Sequence, residues 1–284
     1  MTTSDLAPVT GRAAQDDPPP RVLLIHGQPG TSVLWNRVRE MLETLGLRVI
    51  VVDRPGYGHD SEAATDQFSN ATRLSALLDD EETPTVVVGH SLGAGIAAAM
   101  AVIAPRQVRA LVLVAPAVGA SAVTPIDRLL AAPLVGPTLS WLGFRAAGIV
   151  LRLPQVRRRV LTVRAGLSPT QARDVVAHLT GGHTWRTFTI EQRHFVAEAH
   201  GVRRNIGDIT CPVVIVAGVR DRLVRPKVVS DLAKQLPTAR VTKVDAGHLI
   251  PLDHPRSVVR AVLDVLAWEY RMSLAAQPRT RRRN

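Results

Sequence analysis

The chain has 284 residues, a formal net charge of +11 and one cysteine. This length suits one large domain with an insertion and is short for two full-sized enzymes. The single cysteine, Cys211, excludes an intramolecular disulfide and a cysteine-based zinc site. The positive charge is concentrated in two segments. Residues 119–210 contain 12 Arg and 5 acidic residues, and residues 271–284 contain 5 Arg and no acidic residue.

The first 20 residues are polar and end in an acidic, proline-rich run. They lack the basic segment followed by an apolar segment that marks a secretory signal. We therefore predict a disordered leader over residues 1–20, in which 6–10 is the one candidate for a short extra strand. A cytoplasmic location is expected, because a reducing compartment suits the lone thiol.

Six short runs predict strands, and the apolar ones at 22–25, 85–88 and 108–114 predict strands that are buried in a parallel sheet. These runs are 22–25, 48–52, 85–88, 108–114, 213–217 and 240–244. Helical patterns alternate with them over about 31–45, 66–78, 92–104, 226–236 and 255–272. The hydroxyl of Thr31 or Ser32 is expected to cap the first helix. The alternation predicts an α/β fold: a doubly wound, mostly parallel sheet of about six strands formed by residues 21–116 and 209–273.

The alternation stops between residues 117 and 208, where only helical patterns occur. We predict that 117–208 is a helical lid over the carboxyl edge of the sheet. Its stretch 129–151 is nearly all apolar, but internal prolines, glycines and Arg145 disfavour a membrane span. A lid that presents apolar faces to a pocket is the favoured interpretation. A lid resting on a membrane surface is the alternative, since three arginines follow at 157–159.

The third predicted strand leads into Gly89-His90-Ser91-Leu92-Gly93 and then into an alanine-rich helix. Glycine on each side of a serine, between a strand and a helix, fits the nucleophile elbow. In that sharp turn the strand and the helix nearly touch, so the flanking residues must be small. The serine oxygen is exposed at a helix N-terminus, where the helix dipole favours developing negative charge.

Other segments at the ends of predicted strands share a pattern with one known family. In chain order they are His26-Gly27-Gln28-Pro29-Gly30, Asp53-Arg54-Pro55-Gly56-Tyr57-Gly58, Gly89-His90-Ser91-Leu92-Gly93, Gly218-Val219-Arg220-Asp221 and Gly247-His248. Together they resemble the α/β-hydrolase superfamily, in its serine-nucleophile branch with a helical lid, over residues 22–270. The family usually begins with two antiparallel strands that have no convincing counterpart here.

The resemblance implies a role for each matching residue. Ser91 is the nucleophile, Asp221 the acid and His248 the base, in the family order Ser…Asp…His. The base takes the serine proton, and the carboxylate holds the imidazole in the required tautomer. The backbone N–H groups of Gln28 and Leu92 are the expected oxyanion hole. Asp208 and Asp245 remain as alternative acids.

The residue at the elbow narrows the expected reaction. Relatives that open epoxides or displace halide share the neighbouring segments but carry aspartate in place of Ser91. Hydrolases of carbon–carbon bonds use serine, but commonly have Gly-Gly after the nucleophile's neighbour and Trp after the histidine. This chain has Gly93-Ala94 and Leu249 at those places.

We therefore expect a hydrolase of carboxylic esters with apolar acyl or alicyclic groups, which form an acyl-enzyme on Ser91. A thioesterase or carbon–carbon bond hydrolase with the same residues is one alternative, and the lid arginines would favour an anionic substrate in that case. A non-catalytic ligand-binding protein of the same fold is the other alternative.

The remaining expectations concern partners and cofactors. No cofactor and no metal are expected, because the histidines have no regular ligand spacing. The basic tail 274–284 is predicted to be disordered and lacks the interleaved aromatic residues of a nucleic-acid site. The lid or this tail is a candidate for weak contact with a membrane surface. The sequence leaves the oligomeric state open.

Overall fold

The computed structural model describes residues 18–78, 83–164, 166–199 and 205–276. It contains a parallel sheet of six strands in the order β2-β1-β3-β4-β5-β6. The strands are β1 (Arg21–Ile25), β2 (Arg48–Val52), β3 (Thr85–His90), β4 (Val108–Val114), β5 (Val213–Gly218) and β6 (Ala239–Val244). The predicted doubly wound sheet of about six strands is confirmed. The candidate strand 6–10, most of the leader and nearly all of the tail lie outside the described residues.

Eleven α-helices occur in the described part of the chain. They are α1 (Asn36–Thr44), α2 (Gln67–Ala76), α3 (Leu92–Ile103), α4 (Pro125–Ala131), α5 (Gly136–Arg152), α6 (Pro154–Arg157), α7 (Pro169–Thr180), α8 (Thr184–Glu198), α9 (Pro226–Ala233), α10 (Ile250–Asp253) and α11 (Pro255–Ala276). A π-helical stretch, Arg158–Arg164, follows α6. Five of the helices, α4 to α8, lie between β4 and β5.

The sheet has an apolar core on each face, which explains why its central strands are apolar at every position. One core joins alternate strand residues such as Leu23 to α2, α3 and α9. The other joins Leu24 and its equivalents to α1 and α11, with Trp35 fully buried among them. Burying one such side chain contributes about 1.5–3 kcal/mol, so both helix layers hold the sheet and the loops at its edge.

The start of the first helix differs from the prediction. Ser32–Trp35 forms a 3-10 turn before α1, and neither Thr31 nor Ser32 caps through its hydroxyl. The carboxylate of Asp53 instead accepts a hydrogen bond from the Ser32 N–H at 2.6 Å. The prediction was wrong because a side chain from the loop after β2 satisfies the free donor.

The apolar stretch 129–151 is oriented differently from the expectation. On α5 the buried residues are the small ones, Gly136, Ser140 and Gly148. Large side chains such as Leu142 and Ile149 are exposed. No single described helix is long and apolar enough to cross a membrane, whereas α4 and α5 pass that test only as a pair bent by 104°.

Candidate active site

Ser91 lies at a strained turn between β3 and α3. Its φ is 53° and its ψ is −117°, a conformation that residues with a Cβ rarely adopt. A Cβ on Gly93 would lie 2.5 Å from the carbonyl oxygens of Ile25 and His26, and a Cβ on Gly89 would overlap the backbone of Gly93. Only glycine fits on either side of Ser91, as the elbow pattern requires.

Three side chains form a hydrogen-bonded chain at the carboxyl edge of the sheet. The Nε2 atom of His248 lies 3.1 Å from the Oγ of Ser91. The Nδ1 atom of the same ring lies 2.8 Å from Oδ2 of Asp221. Ser91 follows β3, Asp221 follows β5 and His248 follows β6. The parallel sheet therefore brings together three positions that are far apart in sequence.

Asp221 is buried, and both of its carboxylate oxygens are used. Oδ1 accepts hydrogen bonds from the N–H groups of Leu223 at 2.8 Å and Val224 at 2.9 Å. Burial alone raises the pKa of Asp221, but the hydrogen bond and charge of His248 and the two amides outweigh it and lower that pKa below its usual 3.8. The carboxylate is therefore ionised at neutral pH and orients the imidazole.

The two alternative acids do not contact His248. Asp245 is largely exposed and pairs with Arg220 at 3.0 Å. Asp208 is exposed in a 3-10 turn before β5.

The loop that carries Gln28 lies directly against Ser91. A Cβ on Gly27 would be 2.8 Å from the Cβ of Ser91. The backbone N–H groups of Gln28 and Leu92 have no acceptor among the described residues. Free N–H groups beside a serine are what an oxyanion hole requires.

Two further histidines support these loops. The Nε2 atom of His90 bonds the carbonyl oxygen of His248 at 2.9 Å. In His26, Nδ1 bonds the carbonyl oxygen of Gly27 at 2.8 Å, and Nε2 accepts from the Arg54 N–H at 3.0 Å. Burial lowers the pKa of His90 to about 3 and the pKa of His26 well below 6.5, so both rings are neutral.

Sequence reasoning missed a buried ion pair beside the site. The guanidinium of Arg54 contacts the carboxylate of Glu191 on α8, and both side chains are buried. The Tyr57 hydroxyl donates to the same carboxylate at 2.8 Å. Arg54 also donates to the carbonyl oxygens of His26 and Gly27. The segment 53–58 was visible in the sequence, but Glu191 lies in an ordinary helical pattern that indicates no partner.

A second polar chain joins the loop of Gln28 to the same helix. The Gln28 side-chain amide donates to Gln192 Oε1 at 2.5 Å, and the Gln192 amide donates to Asp127 at 2.8 Å. The helices between β4 and β5 are thus bonded to the loops around Ser91 at two places.

The lid arginines were expected to indicate an anionic substrate if they faced the site. Arg145 and Arg152 instead line a cavity of about 210 Å3 between α5, the end of α7 and the start of α8. Ser91, Asp221 and His248 do not line that cavity. In the described ranges, no three His, Cys, Asp or Glu side chains are grouped so as to hold a metal ion.

The sequence matches the alpha/beta hydrolase family over residues 22–261. This match covers most of the chain, and the chain therefore belongs to the alpha/beta hydrolase family. The sheet and the position of Ser91 described above agree with that membership.

Several named relatives of the chain are hydrolases. The pimeloyl-acyl-carrier-protein methyl ester esterase of Photobacterium profundum is 27% identical over 259 residues, which are 86% of this chain and 94% of the esterase. Lipase LipV of Mycobacterium tuberculosis is 38% identical over 120 residues, which are 40% of this chain and 45% of the lipase. A solved esterase structure from Thermogutta terrifontis superposes with a TM-score of 0.63 at 20% identity and covers 88% of this chain and 90% of that chain. At this identity the structural likeness concerns the fold alone.

Proposed function

We propose that this protein is a serine hydrolase of carboxylic esters that acts through Ser91, His248 and Asp221. The observation that carries the proposal is the hydrogen-bonded chain from Ser91 Oγ through both ring nitrogens of His248 to a buried carboxylate. A serine hydroxyl is a weak nucleophile unless a positioned base removes its proton. The strained backbone of Ser91 presents the oxygen at the edge of the sheet.

The first half of the reaction forms an acyl-enzyme. His248 Nε2 takes the hydroxyl proton while Ser91 Oγ attacks the ester carbonyl, and the imidazolium that forms is stabilised by Asp221. The N–H groups of Gln28 and Leu92 donate to the tetrahedral oxyanion. His248 then returns the proton to the leaving alcohol. In the second half, water activated by His248 attacks the acyl carbon, and the acid is released with Ser91 restored.

We further propose that residues 117–208 act as a lid for this site. Support comes from the bonds between α8 and the loops around Ser91: the Arg54–Glu191 ion pair, the Gln28–Gln192 bond, and a hydrogen bond from Thr187 Oγ1 to the Gly56 carbonyl oxygen at 3.2 Å. Such bonds hold the lid against the core and limit the entry of water.

The substrate is proposed to be a small ester with an apolar acyl group. The stretch 129–151 no longer supports this choice, because many of its large side chains, such as Leu142 and Ile149, face outward. The support is now the esterase and lipase relatives. The thioesterase and carbon–carbon alternatives lose the support expected from Arg145 and Arg152, which line a separate cavity.

The experiment is to compare wild type, Ser91→Ala and the exposed-serine control Ser230→Ala on p-nitrophenyl esters of graded acyl length. We expect Ser91→Ala to lose about 10⁴-fold or more in kcat/KM, because both halves of the reaction require the serine oxygen. A fluorophosphonate probe is expected to label wild type and Ser230→Ala only. Undiminished hydrolysis by Ser91→Ala would overturn the proposal, and a folded wild type that neither turns over esters nor reacts with the probe would favour a non-catalytic role.

A further inference from the structure

Helix α5 has two apolar faces, and only one of them is used by the fold. Its buried residues, Gly136, Ser140 and Gly148, are spaced by four or eight positions and form a narrow inner stripe. These residues are small, so the helix lies close to its neighbours along this stripe. On the same side, Leu151 packs against the cluster of Leu161 and Val176, and Phe144 packs against Phe188 of α8. Packing of α5 within the protein therefore uses this side alone.

The opposite side of α5 carries large apolar side chains at helical spacing, and we call it the outer face. It consists of Leu139, Leu142, Ala146, Ile149 and Val150 of the helix, together with Val135 and Leu153, which cap its two ends. Leu142 is 50% exposed and Ile149 is 61% exposed. At 100° per residue these positions lie on the side opposite the inner stripe. A continuous apolar surface of this kind typically marks an interaction site.

The segment of chain that carries the outer face is rich in arginine, and its first acidic residue after Asp127 is the exposed Asp174 of α7. Residues 128–173 contain 8 Arg and no Asp or Glu. Arg164 pairs with Asp253 of α10, but Arg145, Arg152, Arg158 and Arg159 are exposed. The nearest carboxylate in sequence before this segment, Asp127, accepts bonds from Thr124 and Gln192.

We propose that the outer face of α5 is a docking surface for an anionic lipid bilayer, with the helix lying in the plane of the interface. An amphipathic helix with large aliphatic residues on one side and flanking arginines has the chemistry for this position. The positive charge of the flanking arginines disfavours a second copy of the chain as the partner that covers this face. Two copies joined through this face would bring two arginine-rich segments together, whereas an anionic lipid surface neutralises one.

The docking proposal is independent of ester hydrolysis, because it rests on the outer face and its arginines alone. Both can be measured in the same protein. A Ser91→Ala variant is expected to bind vesicles as wild type does.

The experiment measures co-sedimentation of the full chain with phosphatidylcholine vesicles that contain about one-third phosphatidylglycerol, and with pure phosphatidylcholine vesicles. We expect binding to the anionic vesicles that weakens at high salt. Replacing Leu142→Ser together with Ile149→Ser should weaken binding about tenfold or more, because two aliphatic side chains no longer enter the interface. Replacing Arg157, Arg158 and Arg159 by Gln should weaken it about fivefold per charge removed.

Two matched variants control for nonspecific effects, and all variants keep residues 274–284. Leu77→Ser changes an apolar residue that is 59% exposed after α2. Arg256→Gln, Arg260→Gln and Arg271→Gln remove three exposed charges from α11. Depth-dependent quenching of Trp141 by brominated lipid, lost in Trp141→Phe, should report the insertion of α5. Equal losses in the control and outer-face variants would overturn the proposal, as would absence of binding to anionic vesicles. A wild-type dimer that the outer-face variants convert to monomers would also overturn it, in favour of a second copy.

Discussion

The loops around Ser91 and the outer face of α5 differ in how far their side chains are buried and bonded within the protein. Around Ser91 the candidate catalytic side chains are largely buried and hydrogen-bonded: Asp221 uses both carboxylate oxygens, and His248 uses both ring nitrogens. On the outer face, Leu142 and Ile149 have no partner that covers them. Hydrogen bonds within the protein hold the side chains around Ser91 in place, whereas the side chains of the outer face remain in contact with solvent.

The difference shows where the free energy of folding is gained. The six-stranded sheet and its two cores hold the loops at its carboxyl edge, so we expect a change there to affect either the proposed activity or the stability. The helices between β4 and β5 are attached to the core through α8, by Glu191 and Gln192, and the π-helical stretch after α6 is attached by the pair of Arg164 with Asp253. The outer face of α5 contributes nothing to that attachment, and changes on it should leave the fold intact.

The largest expected effect separates catalysis from stability in the first region. Asp221→Asn retains the size of the side chain but loses its charge, so His248 is no longer held in the tautomer that accepts the Ser91 proton. We expect kcat to fall about 10⁴-fold with little change in unfolding temperature. The matched control is Asp245→Asn, which changes the exposed carboxylate that pairs with Arg220. Similar losses in both variants, measured with p-nitrophenyl esters, would mean that Asp221 has no special role.

The next effect tests how α8 is attached to the loops around Ser91. Glu191→Gln leaves the guanidinium of Arg54 buried without a charged partner. Removing one member of a buried ion pair typically costs about 3–5 kcal/mol, and urea unfolding should show a loss in this range. Glu43→Gln, which breaks an exposed pair with Arg39, should cost only about 0–1 kcal/mol. A loss for Glu191→Gln no larger than that of this control would contradict the inference.

A smaller effect concerns pH. Burial lowers the pKa of His90 to about 3 in the native state, against 6.5 for the free side chain. The unfolded chain therefore binds one more proton at His90 below pH 6.5, and the native state loses stability as the pH falls towards 3. The slope contributed by His90 is about 1.4 kcal/mol per pH unit between these two pKa values.

His90→Gln isolates this contribution, because glutamine can still donate to the His248 carbonyl but does not titrate. Urea midpoints measured through that pH range should fall less steeply for the variant than for wild type. His26, which is also neutral and buried, is present in both proteins and provides the common background. Identical slopes would show that His90 is not the group responsible.

The smallest effect sharpens the contrast. Leu142→Ser on the outer face should change the free energy of unfolding by less than about 0.5 kcal/mol, because the side chain is already exposed. Leu24→Ala in β1 should cost about 2–5 kcal/mol, since that side chain is fully buried between the sheet and its helices. Comparable losses in the two variants would mean that the outer face is packed within the protein.

Much of the fold was predictable because its signals are local. Two strands, 48–52 and 108–114, have the predicted bounds, and the other four differ by one or two residues. A parallel strand covered on both faces must be apolar at every position, so the pattern is hard to mistake. The elbow around Ser91 was predictable for the same reason, since its glycines and its turn lie within five residues.

Other features depend on residues that are distant in sequence. Asp53 accepts a hydrogen bond from the Ser32 N–H in place of a capping hydroxyl, and Arg54 pairs with Glu191. No local sequence pattern links the two members of either pair. The sequence also did not indicate in which direction the apolar residues of α5 point. Both sides of that helix are apolar, so its composition does not indicate which side is buried.

The sequence by itself determined the order of strands and helices, the family resemblance, and the identity of the candidate residues Ser91, Asp221 and His248. Only the tertiary structure decided that His248 lies 3.1 Å from Ser91 and 2.8 Å from Asp221, and that α5 turns its small residues inward. The physical reason is the range of the interactions. Hydrophobic periodicity and turn geometry act over a few residues, whereas hydrogen bonds between loops and the choice of a buried helix face depend on the packing of the whole chain.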